Sequence, residues 1–236
     1  LFSMGLASEQ NLLSDRYLHF IQNSLVLASV ASLVTVSAAM LLVTLYRLYE
    51  GPMTSTALYI ARLGYAVPGG VIAVGLLVPG AALDNRIDAF MEAQFGIDTG
   101  LLLTGSIWML VMAYMIRFLA AAIGAYEGGM AIVSPNVDAV ARVLGQGVTG
   151  LVRRVHVPIL WSSILTAALI VFVDVMKELP ATLIMRPFNY DTLAVQAFRL
   201  ASDERLRGAA VPSLVLVGIG LLPVLLLCRQ IARKSE

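Results

Sequence analysis

Asp174, Lys177 and Glu178 are a tight group of charged side chains at the edge of an apolar run, and their spacing limits what they can do. Asp174 and Lys177 stand three apart, so on a helix they share a face and can pair. A charge at the centre of a membrane-spanning helix costs about 2.5–3.5 kcal/mol, and less toward the interface. Such groups are therefore paired or turned to water. The trio reads either as a pair that satisfies itself or as the polar mouth or gate of a pathway. Other chemistry is sparse. His19 and His156 are far apart, no Ser-His-Asp order is present, and there is no Gly-rich phosphate loop or clustered set of metal ligands. One cysteine, Cys228, excludes an internal disulfide and a cysteine-based metal cage. The chain reads as a non-catalytic protein, and energy for any work it does must come from a partner or an ion gradient.

The elements that position these residues are apolar and long. The chain has 236 residues, of which 59% are hydrophobic and 13% charged, with a mean hydropathy of +0.85. A soluble domain of this length needs more polar surface to cover its core. Five stretches lack any Asp, Glu, Lys, Arg or His: Leu25–Leu45, Ala66–Leu83, Leu101–Ile116, Val157–Val173 and Gly208–Cys228. Their lengths suit helices crossing roughly 30 Å of hydrocarbon. The third continues past Arg117 as FLAAAIGAY, and Arg117 is expected near a span end, where it can snorkel to headgroups. The fold class is therefore all-α, a polytopic helical membrane protein with about five spans. A net charge of +1 gives no footprint for nucleic acid. Small residues recur in the spans (Ala28, Ser32, Ser37, Ala39, Gly69, Gly70, Gly75, Gly218, Gly220), as close helix packing requires. Pro68, Pro79, Pro212 and Pro223 can bend their helices.

Between the spans lie a mixed loop Arg47–Tyr65, an acidic loop Asp84–Gly100, a basic segment Glu127–His156 and a long loop Asp174–Arg207. The acidic loop reads as solvated surface or as a contact for another protein. With the tail inside, nine of 16 basic residues are cytoplasmic (Arg47, Arg62, Arg117, Arg142, Arg153, Arg154, Arg229, Arg233 and Lys234), a thin positive-inside margin. The opening LFSMGLAS reads like the last turns of a helix that begins earlier, so a longer parent protein is expected.

The segment from Asp138 to Pro158, DAVARVLGQGVTGLVRRVHVP, is polar, cationic and punctuated by glycine between two apolar runs. Ser134 or Asn136 can cap a short amphipathic helix through Asp138, Ala139, Ala141, Arg142 and Leu144. Gly145 stops it. A second short helix runs from about Val148 to His156, and Pro158 opens the next span at a first-turn position. The segment reads as a docking site or as a helix lying on the membrane with its arginines on lipid phosphates.

This helix–Gly–helix–Pro layout resembles the EAA loop of ABC importer permeases. DAVARVLG matches the acidic-Ala-Ala start and the glycine, and VHVP matches the apolar-x-apolar-Pro end. The departure is at the acidic position, where Asp138 stands one place early or Ala139 replaces the usual glutamate. YAVPGGVIAVGLL (Tyr65 to Leu77) resembles the second span of ferric-iron-type permeases, and MKELPATLIMRPFNYDTLAVQAFRLASDERL (Met176 to Leu206) resembles their external loop. The resemblance implies the type I ABC importer transmembrane fold, with 1–236 as one domain and a cytoplasmic docking loop at 134–157. It implies that Asp138, Ala139, Ala141, Gly145, Val148, Leu151, Arg153, Arg154 and Pro158 form the docking element, with Val148–Arg154 seated in a cleft of an ATP-binding subunit. That subunit would hold the ATP and Mg, so this chain needs no cofactor. Further implied partners are a periplasmic substrate-binding protein, a second permease half (in the same chain or as a homodimer) and the lipid bilayer. The implied location is a bacterial inner membrane, multi-pass, and the chain would be the C-terminal half of its permease.

Iron(III) is the cargo the resemblance favours. As a hard cation it prefers oxygen ligands, which Asp174, Glu178, Tyr190 and Asp191 would supply along the pathway without a tight metal site. Thiamine, an aminophosphonate, a polyamine or an oxyanion are the alternative cargoes. A secondary transporter or channel is the alternative class. Such proteins place ionisable residues mid-span to bind coupling ions, and the five apolar runs lack them.

Overall fold

The computed structural model describes residues 14–232, and every regular element among them is helical. The expected helix remnant LFSMGLAS, and the tail residues Arg233 and Lys234, lie outside the described residues. The helices are α1 (Asp15–Leu48), α2 (Pro52–Leu63), α3 (Gly69–Phe95), α4 (Ile107–Met130), α5 (Pro135–Val143), α6 (Val148–Leu151), α7 (Val157–Ile159), α8 (Trp161–Met176), α9 (Pro180–Met185), α10 (Leu193–Ser202) and α11 (Leu206–Ala232). A π-helical turn, Val152–His156, joins α6 to α7, and a 3₁₀ turn, Gly64–Ala66, follows α2.

α1, α3 and α4 are long and apolar enough to cross a membrane. A fourth crossing is a bent pair, Val148–Ile159 with Trp161–Met176, broken by 83°. The fifth apolar run lies on α11. The core forms where α1, α4 and α8 pack together. α1 turns Phe20, Leu27, Ala28, Ala31, Val36, Ala39 and Val43 inward, a stripe at the three-and-four spacing of one helix face. Its small residues admit α8 closely: the Ser32 hydroxyl donates to the Ala168 carbonyl at 2.7 Å.

Four expectations need correction. First, the span after the basic segment begins at Trp161, not at Val157. Helix continues from Val148 through Pro158 to Ile159, and the chain bends at Leu160 (φ −97°, ψ 11°). Pro158 has no N–H to give, and the Val157 N–H is passed on to the Val152 carbonyl, the five-residue step of a π turn. Second, the continuous helix of the second crossing begins at Gly69, three residues into its apolar run. α2 ends at Leu63, the 3₁₀ turn and Pro68 follow it, and α3 starts at Gly69. Of the prolines, Pro68 marks this break, whereas Pro79 is carried inside α3.

Third, the acidic loop is helical to Phe95. Two of its carboxylates, Asp84 and Asp88, bind backbone within the chain. Asp84 is fully buried and accepts the backbone N–H groups of Leu102, Leu103 and Thr104 at 3.2, 2.9 and 2.7 Å. Asp88 accepts those of Thr99 and Gly100 at 2.8 and 2.9 Å. The turn into α4 is therefore fastened by α3. Fourth, Arg117 is near the middle of the 24-residue α4 rather than at its end. α4 starts at Ile107, later than the apolar run, and extends to Met130.

Candidate functional site

Two polar clusters interrupt the apolar bundle. One lies where α1 ends, and the other at the middle of α4.

The first is built on Asp138. Ser134 caps α5 by accepting the Asn136 N–H at 3.3 Å, and Pro135 occupies the first turn, where its missing donor costs nothing. The other end of α5 closes in a Schellman arrangement: Gln146 N–H reaches the Ala141 carbonyl at 3.0 Å and Gly145 N–H reaches that of Arg142 at 2.9 Å. This requires Gly145 at φ +76°, a conformation a β-carbon disfavours. Between the two caps Asp138 and Ala141 face inward, while Ala139 is exposed.

Inside, Asp138 meets two partners the sequence did not assign to it. Arg47, in the last turn of α1, donates from Nε to one carboxylate oxygen at 2.5 Å. Its other nitrogens hold the Met130 and Val133 carbonyls at 3.0 and 2.7 Å. The fully buried His156 donates from Nε2 to the second carboxylate oxygen at 2.8 Å. Burial works against the Asp138 charge, but the hydrogen bonds from His156 and Arg47 outweigh it and hold the carboxyl below its usual range. One carboxylate thus ties together the end of α1, the α4–α5 turn, α5 and the π turn. The displaced acidic residue of the motif makes a buried ion pair after all.

Beyond this clasp the surface is open. Arg153 and Arg154 are exposed, and Arg154 reaches the Gln146 side chain at 3.4 Å. Val148 is half-buried, Leu151 is buried, and Pro158 is exposed. Leu48, Tyr49, Arg142, Gln146, Val148 and Leu151 line a hollow of about 230 Å³ between the end of α1 and the segment. The outer side of α5 presents Val140, Val143 and Leu144 to solvent, Val143 at 88% exposure.

The second cluster occupies the level where two chain segments are broken. Gly64–Pro68 separates α2 from α3, and Lys177–Leu179 separates α8 from α9. Helix ends free backbone polar groups that need partners when they are buried. Side chains satisfy some of them here. Glu178 is almost fully buried and accepts the Ala181 and Thr182 N–H groups at 3.2 and 3.3 Å and the Thr182 hydroxyl at 3.2 Å. Thr182 also pairs with the buried Tyr114 hydroxyl at 2.6 Å. Arg117 turns inward, 3.9 Å from Glu178 and 3.5 Å from the Val67 carbonyl. Gly69 gives the pair room: a β-carbon there would fall 2.3 Å from Glu178 Oε1 and 2.5 Å from an Arg117 nitrogen.

Of the anticipated pathway residues, Asp174, Lys177 and Glu178 line one hollow of about 340 Å³ with Tyr65, Arg117 and Phe118. Asp174 and Lys177 form the expected pair at 2.9 Å. Tyr190 and Asp191 are held elsewhere. The Tyr190 hydroxyl donates to the Asn23 carbonyl at 3.0 Å, and Asp191 is bridged by Arg186 and Arg199. The four oxygen donors expected for a hard cation are therefore not one set, because each carboxylate already has a cation or N–H partner. No group of three or more His, Cys, Asp or Glu placed to hold a metal occurs among the described residues. The five apolar runs themselves carry no ionisable residue, but α4 continues past its run and brings Arg117 to within 3.9 Å of Glu178 inside the bundle. A charge with apolar sequence on both sides was the available signal for Arg117. Nothing in the spacing marked Arg47 as the partner of Asp138, 91 residues away.

No established protein-family model matches the chain. It is 27% identical over 216 residues to the Fe(3+)-transport system permease protein FbpB 2 of Haemophilus influenzae, a match covering 90% of this chain and 39% of that protein. It is 26% identical over 171 residues to the putative 2-aminoethylphosphonate transport system permease protein PhnV of Salmonella typhimurium, covering 72% of this chain and 58% of that one. The chain thus spans only part of the length of these relatives, which are transport permeases and not enzymes. Its fold matches a bacterial ABC transporter involved in import of the acidic polysaccharide alginate, with a TM-score of 0.71, 15% identity, and coverage of 100% of this chain and 89% of that one. A structure of a bacterial alginate ABC transporter in complex with an alginate pentasaccharide-bound periplasmic protein gives 0.70 at 17% identity, covering 95% and 81%. The chain has the fold of an ABC importer transmembrane subunit, and the resemblance read from its sequence is carried by permeases that align with most of it.

Proposed function

We propose that this chain is the translocating part of an ATP-driven ABC importer in a bacterial inner membrane, with the segment 134–157 on the cytoplasmic side seated against an ATP-binding subunit. The observation that carries this reading is the Asp138 clasp. A segment with exposed apolar and cationic side chains on its outer side is fastened on its inner side to the end of a 34-residue spanning helix. A push on α6 or the π turn reaches α1 through a buried ion pair and not through a flexible loop. ATP and Mg would belong to the partner, and substrate would be delivered by a periplasmic binding protein and cross where two permease halves meet. Iron(III) and an aminophosphonate are the cargoes of the two kinds of relative.

Isolation of the full-length protein with its native partners tests the reading: an ATPase should co-purify, and its absence would overturn it. Gly145→Trp should sharply reduce uptake while ATP hydrolysis continues, because the left-handed joint between the two short helices would no longer form. Uptake at the normal rate in that variant would count against the mechanism.

A further inference from the structure

The hollow at the level of the two chain breaks presents cations and hides anions. Among its four charged residues, Lys177 is 70% exposed and Arg117 is 26% exposed, whereas Asp174 is 13% and Glu178 is 3% exposed. Glu178 spends its acceptor capacity on Ala181 and Thr182. Asp174 is closed by Lys177. Arg117 is different. A guanidinium has five N–H donors in a planar fork. Its contacts here are the Val67 carbonyl at 3.5 Å, the Glu178 carboxylate at 3.9 Å and the face of Phe118 at 5.7 Å. All are at or beyond the limit of a good hydrogen bond. The fork is thus held in place near the middle of a spanning helix with most of its donors unfilled.

Arg117 is a quarter exposed and opens on the hollow, beside a carboxylate that does not fully engage it, so its guanidinium can take an acceptor there. A small oxyanion is the group that fits. Carboxylate and phosphonate oxygens accept two parallel N–H bonds from one guanidinium, and Lys177 at the rim, which pairs with Asp174 through one donor, has further N–H donors to offer. Tyr65 lines the same space and is 56% exposed. We infer that the hollow formed by Arg117, Lys177, Tyr65 and Phe118 is a binding site for a phosphonate- or phosphate-type oxyanion in transit, with Arg117 as its main ligand. This deepens the importer reading by assigning the cargo class, and it rests on that reading only for the word transit. The ligand oxygens could come from a soluble oxyanion or from a lipid headgroup. The position of Arg117 near the middle of α4 places it away from headgroups and favours the soluble source.

The test uses the full-length transporter in bilayers of a phosphate-free glycolipid, with radiolabelled inorganic phosphate as probe in equilibrium dialysis and methylphosphonate as competitor. Saturable binding is expected, displaced by methylphosphonate. Arg117→Gln should weaken it by about tenfold or more, and Arg117→Lys, which keeps the charge but not the fork, by less. Lys177→Gln, at an exposed position that does not threaten folding, should weaken it by a few-fold, about threefold. In cells, uptake of labelled 2-aminoethylphosphonate should show a raised KM in the same variants. Equal phosphate affinity in wild type and Arg117→Gln overturns the proposal, as does absence of binding in glycolipid with binding only after phospholipid is added. The importer reading is judged separately by whether the ATPase co-purifies, since dialysis needs no nucleotide.

Discussion

The two polar clusters are both built around a buried carboxylate facing an arginine, yet they solve the problem in opposite ways. At the end of α1, Asp138 is engaged directly by Arg47 at 2.5 Å and by His156 at 2.8 Å, and Arg47 spends its remaining donors on two carbonyls. At mid-bundle, Glu178 is satisfied mostly by backbone N–H groups and a hydroxyl, and Arg117 stays 3.9 Å away. The first cluster is closed: every charge has a short, geometrically fixed partner, so it can carry force. The second is open: the carboxylate holds the chain while the cation is left over. The same pair of residue types therefore makes a joint in one place and a receptive surface in the other, and hydrogen-bond saturation decides which.

The comparison breaks most readily at the closed cluster. Asp138→Ala strands Arg47 and His156, and removal of one partner of a buried pair costs about 3–5 kcal/mol. The melting temperature of the purified full-length protein should drop accordingly, and an unchanged value would show that the clasp holds nothing. Replacing both Arg47 and Asp138 by apolar residues of similar size should recover much of that loss, because no charge is then left buried alone. Failure to recover would mean that the two residues act apart.

Next in size is the open cluster. Gly69→Ala drives a β-carbon into Glu178 and Arg117, and the forced shift should cost about 1–3 kcal/mol, read by denaturant or thermal unfolding. Thr182→Val leaves the Tyr114 hydroxyl without its 2.6 Å partner and should cost about 1–2 kcal/mol. If Thr182→Val proves more damaging than Asp138→Ala, the assignment of the two clusters is reversed.

The smallest effect is one of pH. The Asp138 carboxyl lies below its usual value in the folded protein, so its contribution is complete above the ordinary carboxylate range, near 3.8, and fades as pH falls through the lowered value. Hydrogen exchange of amides from Met130 to Gln146 should therefore be flat from pH 7 to about 5 after correction for intrinsic rates, with loosening only at lower pH. Loosening already near pH 6 would show that the Asp138 carboxyl does not control the clasp.

The sequence was legible where local rules dominate. The apolar runs located α1, α4 and α8 to within part of their length, Ser134 and Gly145 were among the readable start and stop signals of α5, and the three-residue spacing of Asp174 and Lys177 gave their pair. What could not be read depended on distance or depth. Arg47 and Asp138 are adjacent only because α1 and α5 end together, which no local pattern encodes. Arg117 was misplaced because counting charge-free residues located the edge of a run and not the middle of a helix. The acidic loop is solvated over most of its length, as expected, but two of its carboxylates have a further role that local pattern does not show. Its charges suggest water, but Asp84 and Asp88 bind backbone N–H groups of the turn that follows.

α1 is the long spanning helix with polar ties at both extremes. Near its start, Asn23 donates to the Asp191 carbonyl at 3.0 Å, accepts from Tyr190 at its own carbonyl, and neighbours Ser24, which accepts the Leu193 N–H at 2.9 Å. At its finish, Arg47 grips Asp138. The distance from Asn23 to Arg47 along the axis is about 36 Å at 1.5 Å per residue. Because α1 runs without a break between these ties, it works as a tie-rod: neither extremity can twist or slide without undoing bonds on the opposite side of the bundle.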